Sequence, residues 1–520
     1  MQRKFLIVSN GLRDHLGHYF ETSVSVAEAA RRLGLHPVLA THVECRADLL
    51  PNWLESHALF RTDHWGRTPP PRQAETVPKP AALRRACRRG WQWCRRTTWL
   101  ADRGAFFLLP PAFYDLKRWV AYCCLPRIVD PSCRARAATA FRKSALRRRY
   151  GDDAAVVELA RNCPEIARNI ADPSSRHATL ELLRPVSAAG FVQELEYALI
   201  FRRDLEHCLS VAAVGRGDHV LLGTAHAREV LAVRQIVDRW GPERSPTFHL
   251  EFRHPLLDRA ADGEPTESAN TRRQRLFFSL PAAWGASETI QLYTDAEELS
   301  SDYESLIGLP FGVLPLPFRA ELISAGPRRP GATLKVAYLG QARDEKGFPW
   351  LPGLVQRLAD DYIRPRRASF LIQSNVSQPE FNPQSVKALE RLRAISSEGV
   401  ELLTPEAPLP PADYYRLVSQ ADLVLLPYLS QRYRACTSGV LAEALAKGVP
   451  AVVPADTWMA HQLPRGGGET FETFESFVSG VRRILDNYDS YRAQTEAHRP
   501  SWLKRHTPEA LVARVLENGN

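Results

Sequence analysis

Two stretches in the second half of the chain carry residue types suited to a phosphorylated ligand. In the first, Thr437-Ser438-Gly439 stands where the run Val440 to Lys447 begins a helix. Free backbone N–H groups and the positive end of the helix dipole favour a phosphate at such a point. Glu443 follows Gly439 at i+4, one turn further in, where a carboxylate can accept hydrogen bonds from vicinal ribose hydroxyls. Gly448 stops the helix and Pro450 leads into the next strand. In the second stretch, Ala337 to Phe348, a strand runs into a glycine-bounded loop with Arg343 and Lys346 near the strand's carboxyl end. Two cations there can neutralise a diphosphate and stabilise it as a leaving group. Taken singly, each stretch also fits a plainer reading: a capped helix with a surface glutamate, or a solvated basic loop.

The surrounding pattern supplies elements to position these residues. Residues 4–10 read as a short buried strand, followed by a loop from Gly11 to Gly17, a helix through Leu33, and a strand at Pro37–Thr41. That is a βαβ opening of a doubly wound sheet. Residues 60–212 break the rhythm and read as a helical insertion. The rhythm resumes with strands at 218–223, 247–252 and 290–293, with Thr294-Asp295 expected to cap the next helix. Residues 324–332 are rich in Gly and Pro and read as a hinge. Beyond it, strands at 335–340, 369–373, 400–403, 423–427 and 449–454 alternate with helices at 349–359, 385–394, 411–420 and 439–446. The expected organisation is an α/β protein: residues 1–323, the hinge, a second Rossmann-like domain at 333–489, and a terminal helix at 490–520 packing back on the first domain. Ligands of such sheets bind outside the strands' carboxyl ends. The pattern alone equally fits an epimerase, a phosphorylase or a two-domain binding protein.

Composition narrows the setting. The net charge is +10, yet Lys79 to Tyr150 alone holds 18 Lys and Arg against 3 Asp and Glu, so an acidic partner would meet that segment. The same region is rich in Trp, Phe and Tyr, which suits a small helical core or an anionic membrane surface. Nucleic acid is not an expected partner, since no recognised module accompanies the charge. The nine cysteines are scattered without a CxxC pair and read as reduced core thiols. No apolar run is long enough for a transmembrane helix, and Phe5 to Val8 is too short for a signal peptide, so a cytoplasmic location is expected. Asp152-Asp153 and Asp360-Asp361 do not form a DxD motif at a strand end, and no metal is expected.

The two motifs, in this order, resemble the family-4 retaining glycosyltransferases of GT-B fold. The matching stretches are Gly340…Arg343…Lys346-Gly347-Phe348 and Glu443-Ala444-Leu445-Ala446-Lys447-Gly448-Val449-Pro450, with a similar Tyr414 to Tyr428 between them. The resemblance covers 335–460 well, reaches Tyr293-Thr294-Asp295 and Leu314 to Phe318, and matches the amino-terminal sheet in outline. It implies two Rossmann-like domains facing a cleft. It implies transfer of a sugar from a nucleotide-sugar donor to a hydroxyl acceptor, carbohydrate or lipid-linked, with retention and with no cofactor or metal. Polysaccharide or glycolipid assembly at the inner membrane face is the implied setting. Arg343 and Lys346 would hold the donor diphosphate; Thr437, Ser438, Gly439, Glu443 and Tyr428 would bind the donor. His254 would lie near the reacting sugar, with His226 as the other candidate. Gly17, His18, His15 and Arg253 would line the acceptor side. Where the family usually places a second glutamate this chain has Ala435, flanked by Arg432 and Arg434. A glycosyltransferase-like binding or scaffold protein without turnover, and a sugar-nucleotide epimerase on the same fold, are the alternatives.

Overall fold

The computed structural model describes residues 2–14, 18–63, 188–259, 265–266, 271, 274–275, 278, 289–319, 332–376, 378–395, 399–404, 409 and 411–517. His15, Gly17, the basic segment 79–150 and residues 324–331 of the expected hinge lie outside the described residues. The chain separates into one unit formed by Met1–Thr68 with Pro185–Asn520 and another formed by Pro69–Arg184. The first unit holds two lobes, each built on a parallel sheet.

The first sheet is formed by β1 (Lys4–Ser9), β2 (His36–His42), β3 (Glu55–Phe60), β4 (His219–Leu222), β5 (Thr247–Phe252), β6 (Ile290–Thr294) and β7 (Gly312–Val313). Their order is β3-β2-β1-β4-β5-β6-β7, all parallel. Helices α1 (His18–Arg32), α2 (Ala188–Val211), α3 (Ala227–Trp240) and α4 (Glu297–Ile307) connect or cover it. Helix α2, read from the sequence as part of the insertion, packs here, with the Phe201 ring tilted against that of Phe60 of β3 at 5.2 Å. Asp204 of α2 holds the Arg61 guanidinium at 2.9 Å and its backbone N–H at 3.0 Å.

The second sheet is formed by β8 (Leu334–Tyr338), β9 (Ala368–Gln373), β10 (Val400–Leu403), β11 (Leu423–Leu425), β12 (Ala451–Pro454) and β13 (Gly468–Phe471), in the order β10-β9-β8-β11-β12-β13. Central strands such as LKVAY and AVVP are near-continuous apolar runs because helices bury both faces of a parallel sheet. The helices are α5 (Leu351–Leu358), α6 (Pro383–Ile395), α7 (Pro411–Gln420), α8 (Ser430–Tyr433), α9 (Gly439–Lys447), α10 (Trp458–Gln462) and α11 (Phe474–Asp486). In both sheets the strand order reverses beside the first strand of the lobe, after β1 and after β8, and crevices form at such points.

Helices α12 (Tyr488–Arg505) and α13 (Pro508–Glu517) bind the lobes together. Trp502 of α12 is fully buried and donates its indole N–H to the Ala442 carbonyl of α9 at 3.0 Å. Thr495 donates to the Gly448 carbonyl at 2.7 Å. Leu511, Val512 and Val515 of α13 are buried in the core of the first lobe with Val26 and Ala30 of α1, each contributing about 1.5–3 kcal/mol of apolar burial. The terminal helix thus returns to the first lobe. Among the described residues no helix is long and apolar enough to cross a membrane.

Candidate active site

The two sequence motifs stand on the segments after β8 and β11, the two strands flanking the reversal of the second sheet. After β8, Gly340 turns the chain at φ +101° while its N–H donates to Gln373 Oε1 at 2.7 Å. The loop then presents Arg343 and a single helical turn, Asp344–Lys346, closed by Gly347 at φ +67°. Gly347 is obligatory twice over: a Cβ there would lie 1.7 Å from the Pro427 carbonyl oxygen, and the backbone is left-handed. This contact presses the Lys346 loop against the segment after β11.

The two motifs meet at Tyr428. Its ring lies 5.4 Å from the Lys346 ammonium, and the pKa of its hydroxyl, raised by burial, is drawn back down by the nearby Ser438 side chain. Ser438 is the N-cap of α9 and accepts from the Leu441 N–H at 3.3 Å. Burial, with the nearby Arg343 guanidinium, pulls Lys346 down to about 8. Arg343 itself is held at 3.1 Å by Gln341 Oε1 and lies 3.4 Å from Glu345. Space opens in front of the α9 N-terminus, since a Cβ on Gly439 would meet nothing within 4 Å. One turn inside α9, Glu443 accepts a 2.7 Å hydrogen bond from the Tyr414 hydroxyl of α7. Enclosure by protein pushes its carboxyl up to about 8, against the opposing effect of that bond.

Thr437 departs from expectation. Its hydroxyl donates to Asp295 Oδ2 of the first lobe at 2.6 Å. Asp295 is therefore no helix cap: the N-cap of α4 is Ala296, which makes no side-chain cap bond. The Thr294 hydroxyl donates instead to the Ala296 carbonyl at 2.8 Å. Having its carboxylate turned toward the cleft is what denies Asp295 the cap position.

In the first lobe, Glu251 at the end of β5 is buried and binds the Arg253 guanidinium at 2.8 Å. Burial pushes Glu251 up to about 7 and also raises Asp295, each partly offset by Arg253. A cavity opens at the carboxyl ends of β1, β4 and β5, lined by Asn10, Tyr19, Thr224, Glu251, Arg253 and Leu511 among others. Sequence reasoning named Arg253 but missed Glu251 and Asn10; the signal was Glu251, the one carboxylate in the strand Thr247–Phe252. His254 follows on the same loop, its ring stacked 5.4 Å from that of His226. Burial, Arg253 and Arg432 hold His254 down at about 4, so the ring is neutral. His226 is the N-cap residue of α3, with its backbone N–H donating to Glu229 Oε2 at 2.9 Å. His18 begins α1, but its side chain, like Gly17, lies outside the described residues.

The structure brings Lys346, Arg343, Tyr428, Ser438, Gly439 and Glu443 to one end of the second sheet, and His226 and His254 to the facing end of the first. Comparison with solved structures agrees with that frame. Sucrose-phosphate synthase from Thermosynechococcus elongatus is similar over 99% of this chain and 98% of its own, with a TM-score of 0.54 and 11% identity. A glycosyltransferase from Rickettsia africae ESF-5 is similar over 100% and 98%, with a TM-score of 0.53 and 8% identity. The alpha,alpha-trehalose 6-phosphate synthase from Burkholderia multivorans gives 100% and 98%, 0.53 and 9%. No protein-family model and no curated protein sequence matches the chain. The fold is GT-B, as the sequence motifs implied.

Proposed function

We propose that the protein is a glycosyltransferase that moves a sugar from a nucleoside-diphosphate donor to a hydroxyl acceptor. The observation that carries this reading is the convergence at Tyr428, where the Lys346 loop and the N-cap of α9 share one aromatic residue. A diphosphate in front of Gly439 would meet the free amides of α9 on one side and the Lys346 ammonium on the other. Charge developing on the departing diphosphate is then stabilised by groups already in place. Glu443 and Tyr414 would take the ribose hydroxyls. The first-lobe cavity, with Asn10, Glu251 and Arg253, would hold the acceptor, and the neutral His254 ring would face the transferred sugar. Independence of metal is part of the proposal, because the cationic pair and the helix terminus supply the positive charge; retention is part of it through the resemblance of the two motifs to a retaining family. A carbohydrate or lipid-linked acceptor, with residues 79–150 on an anionic membrane surface, is its cellular setting.

The test is thermal unfolding with UDP, GDP, CDP, ADP and dTDP, followed by hydrolysis of labelled nucleotide sugars carrying the base that binds. One of the five should raise the melting temperature in the wild type and not in Lys346→Ala. A protein whose melting temperature ignores all five is not a transferase of this kind. Binding without turnover of any donor would point to a scaffold.

A further inference from the structure

The loop after β5 and the segment 430–436 enclose a second cavity that the donor machinery described above does not use. It is lined by Pro255 and Leu257 from the first lobe, Asp302 from α4, and Arg432, Arg434 and Ala435 from the second. Arg432 and Arg434 are exposed, and neither guanidinium forms an ion pair with a described carboxylate. Ala435, between them in sequence, is buried at 4% exposure, and its short side chain leaves the cavity open. Pro255 and Leu257 supply an apolar wall, and charge interactions strengthen as water is excluded. His254 precedes the lining residue Pro255 in sequence, and Arg432 on the cavity wall acts electrostatically on its ring. Two forked cations stand against the single carboxylate of Asp302, and a guanidinium matches a carboxylate or phosphate with two parallel hydrogen bonds.

We infer that this cavity receives an anionic substituent, a carboxylate or a phosphate, carried by one of the substrate sugars. The inference rests on the transferase reading proposed above. The substituent has two sources. A hexuronosyl donor would bring a carboxylate; a hexose-phosphate acceptor would bring a phosphate.

The experiment starts from whichever of the five nucleoside diphosphates binds best. Its hexose and hexuronate conjugates are compared as donors, and glucose and glucose 6-phosphate are compared as acceptors. The wild type should favour the anionic member of one pair by at least about tenfold in kcat/KM, the scale of a charge-assisted hydrogen bond. The pair that shows the preference identifies the source. Arg432→Ala with Arg434→Ala should erase the preference, while affinity for the bare nucleoside diphosphate stays unchanged. Because both side chains are exposed, melting temperature should hold and report that the variant folds. Ala435→Glu, which places a carboxylate in the cavity, should also erase it; Arg432→Lys with Arg434→Lys should keep part. Equal rates within both pairs, or a preference that survives the double alanine variant, overturns the inference and leaves the donor site standing. Failure of all five nucleoside diphosphates to bind overturns the transferase reading and this inference with it.

Discussion

Thr437 donates a 2.6 Å hydrogen bond to Asp295, so the residue preceding the N-cap of α9 is tied to the carboxyl end of β6 in the other lobe. Asp295 is 5% exposed, and its second oxygen, Oδ1, is buried without a hydrogen bond. The tie places the α9 N-terminus on the seam between the two sheets. Nearby, His461 of α10 meets Glu298 of α4 at 2.5 Å across the same seam.

Removing the donor hydroxyl leaves a buried carboxylate with neither oxygen paired to Thr437. Thr437→Val should therefore cost about 1–3 kcal/mol in urea unfolding, the penalty of an orphaned buried acceptor. Asp295→Asn retains an acceptor and sheds a charge that burial disfavours, so it should cost less. Equal losses in the two variants would show that the hydrogen bond itself contributes nothing.

Gly347 makes a separate demand, because a methyl group would collide with the Pro427 backbone 1.7 Å away. A carbonyl cannot rotate aside as a side chain could, so the loop must lift. Gly347→Ala should lower the melting temperature and, through displacement of Lys346, abolish nucleoside-diphosphate binding. Gly439→Ala is the control: a Cβ there meets open space, so the fold should tolerate it. Comparable melting temperatures for both variants would contradict the close approach.

Much of this frame was legible in the residues. Central strands of a two-faced parallel sheet are largely apolar, so Leu334–Tyr338 and Ala451–Pro454 stood out. The loop motifs were equally readable, because Gly340 and Lys346 follow β8 closely and α9 is bounded by its Ser438 cap and by Gly448. What escaped depends on contacts distant in sequence. Asp295 looked like a cap, since its partner Thr437 lies 142 residues away. Edge strand Glu55–Phe60 carries Glu55, Ser56 and His57, and Gly468–Phe471 opens with Gly and Glu, so neither shows an apolar run. Glu251 escaped for the opposite reason: its partner Arg253 lies only two residues on, but its burial at the end of β5 becomes evident only in the fold.

Lys346 should confer a pH limit on diphosphate binding. Burial and Arg343 bring its ammonium down to about 8, so the charge is present below that value and lost as pH rises through it. Affinity for the nucleoside diphosphate should fall by up to about tenfold per pH unit above 8. Lys346→Arg, charged throughout, should flatten the decline whatever its absolute affinity. A parallel decline in both would assign the titration to another group.

Glu443 titrates in the same range with the opposite consequence. Its folded value of about 8 stands above the ordinary 4.5, so the folded protein holds this proton more tightly than the unfolded chain. Its contribution to stability is therefore fully present below 4.5 and is lost as pH rises to about 8. Glu443→Gln should remove that slope, gaining stability relative to wild type toward pH 8. Ribose hydroxyls donate to a carboxylate, so ligand binding should pull the proton off. At pH 7 the carboxyl is largely protonated in the free protein, and Lys346 is already largely charged. Calorimetry of nucleoside-diphosphate binding in buffers of different ionisation enthalpy should then report release of close to one proton. At pH 9 Glu443 is already ionised and Lys346 largely neutral, so the same titration should report uptake. Glu443→Gln should abolish the release at pH 7 and leave the uptake at pH 9. If release persists in Glu443→Gln, the proton comes from elsewhere and the ribose contact is misassigned.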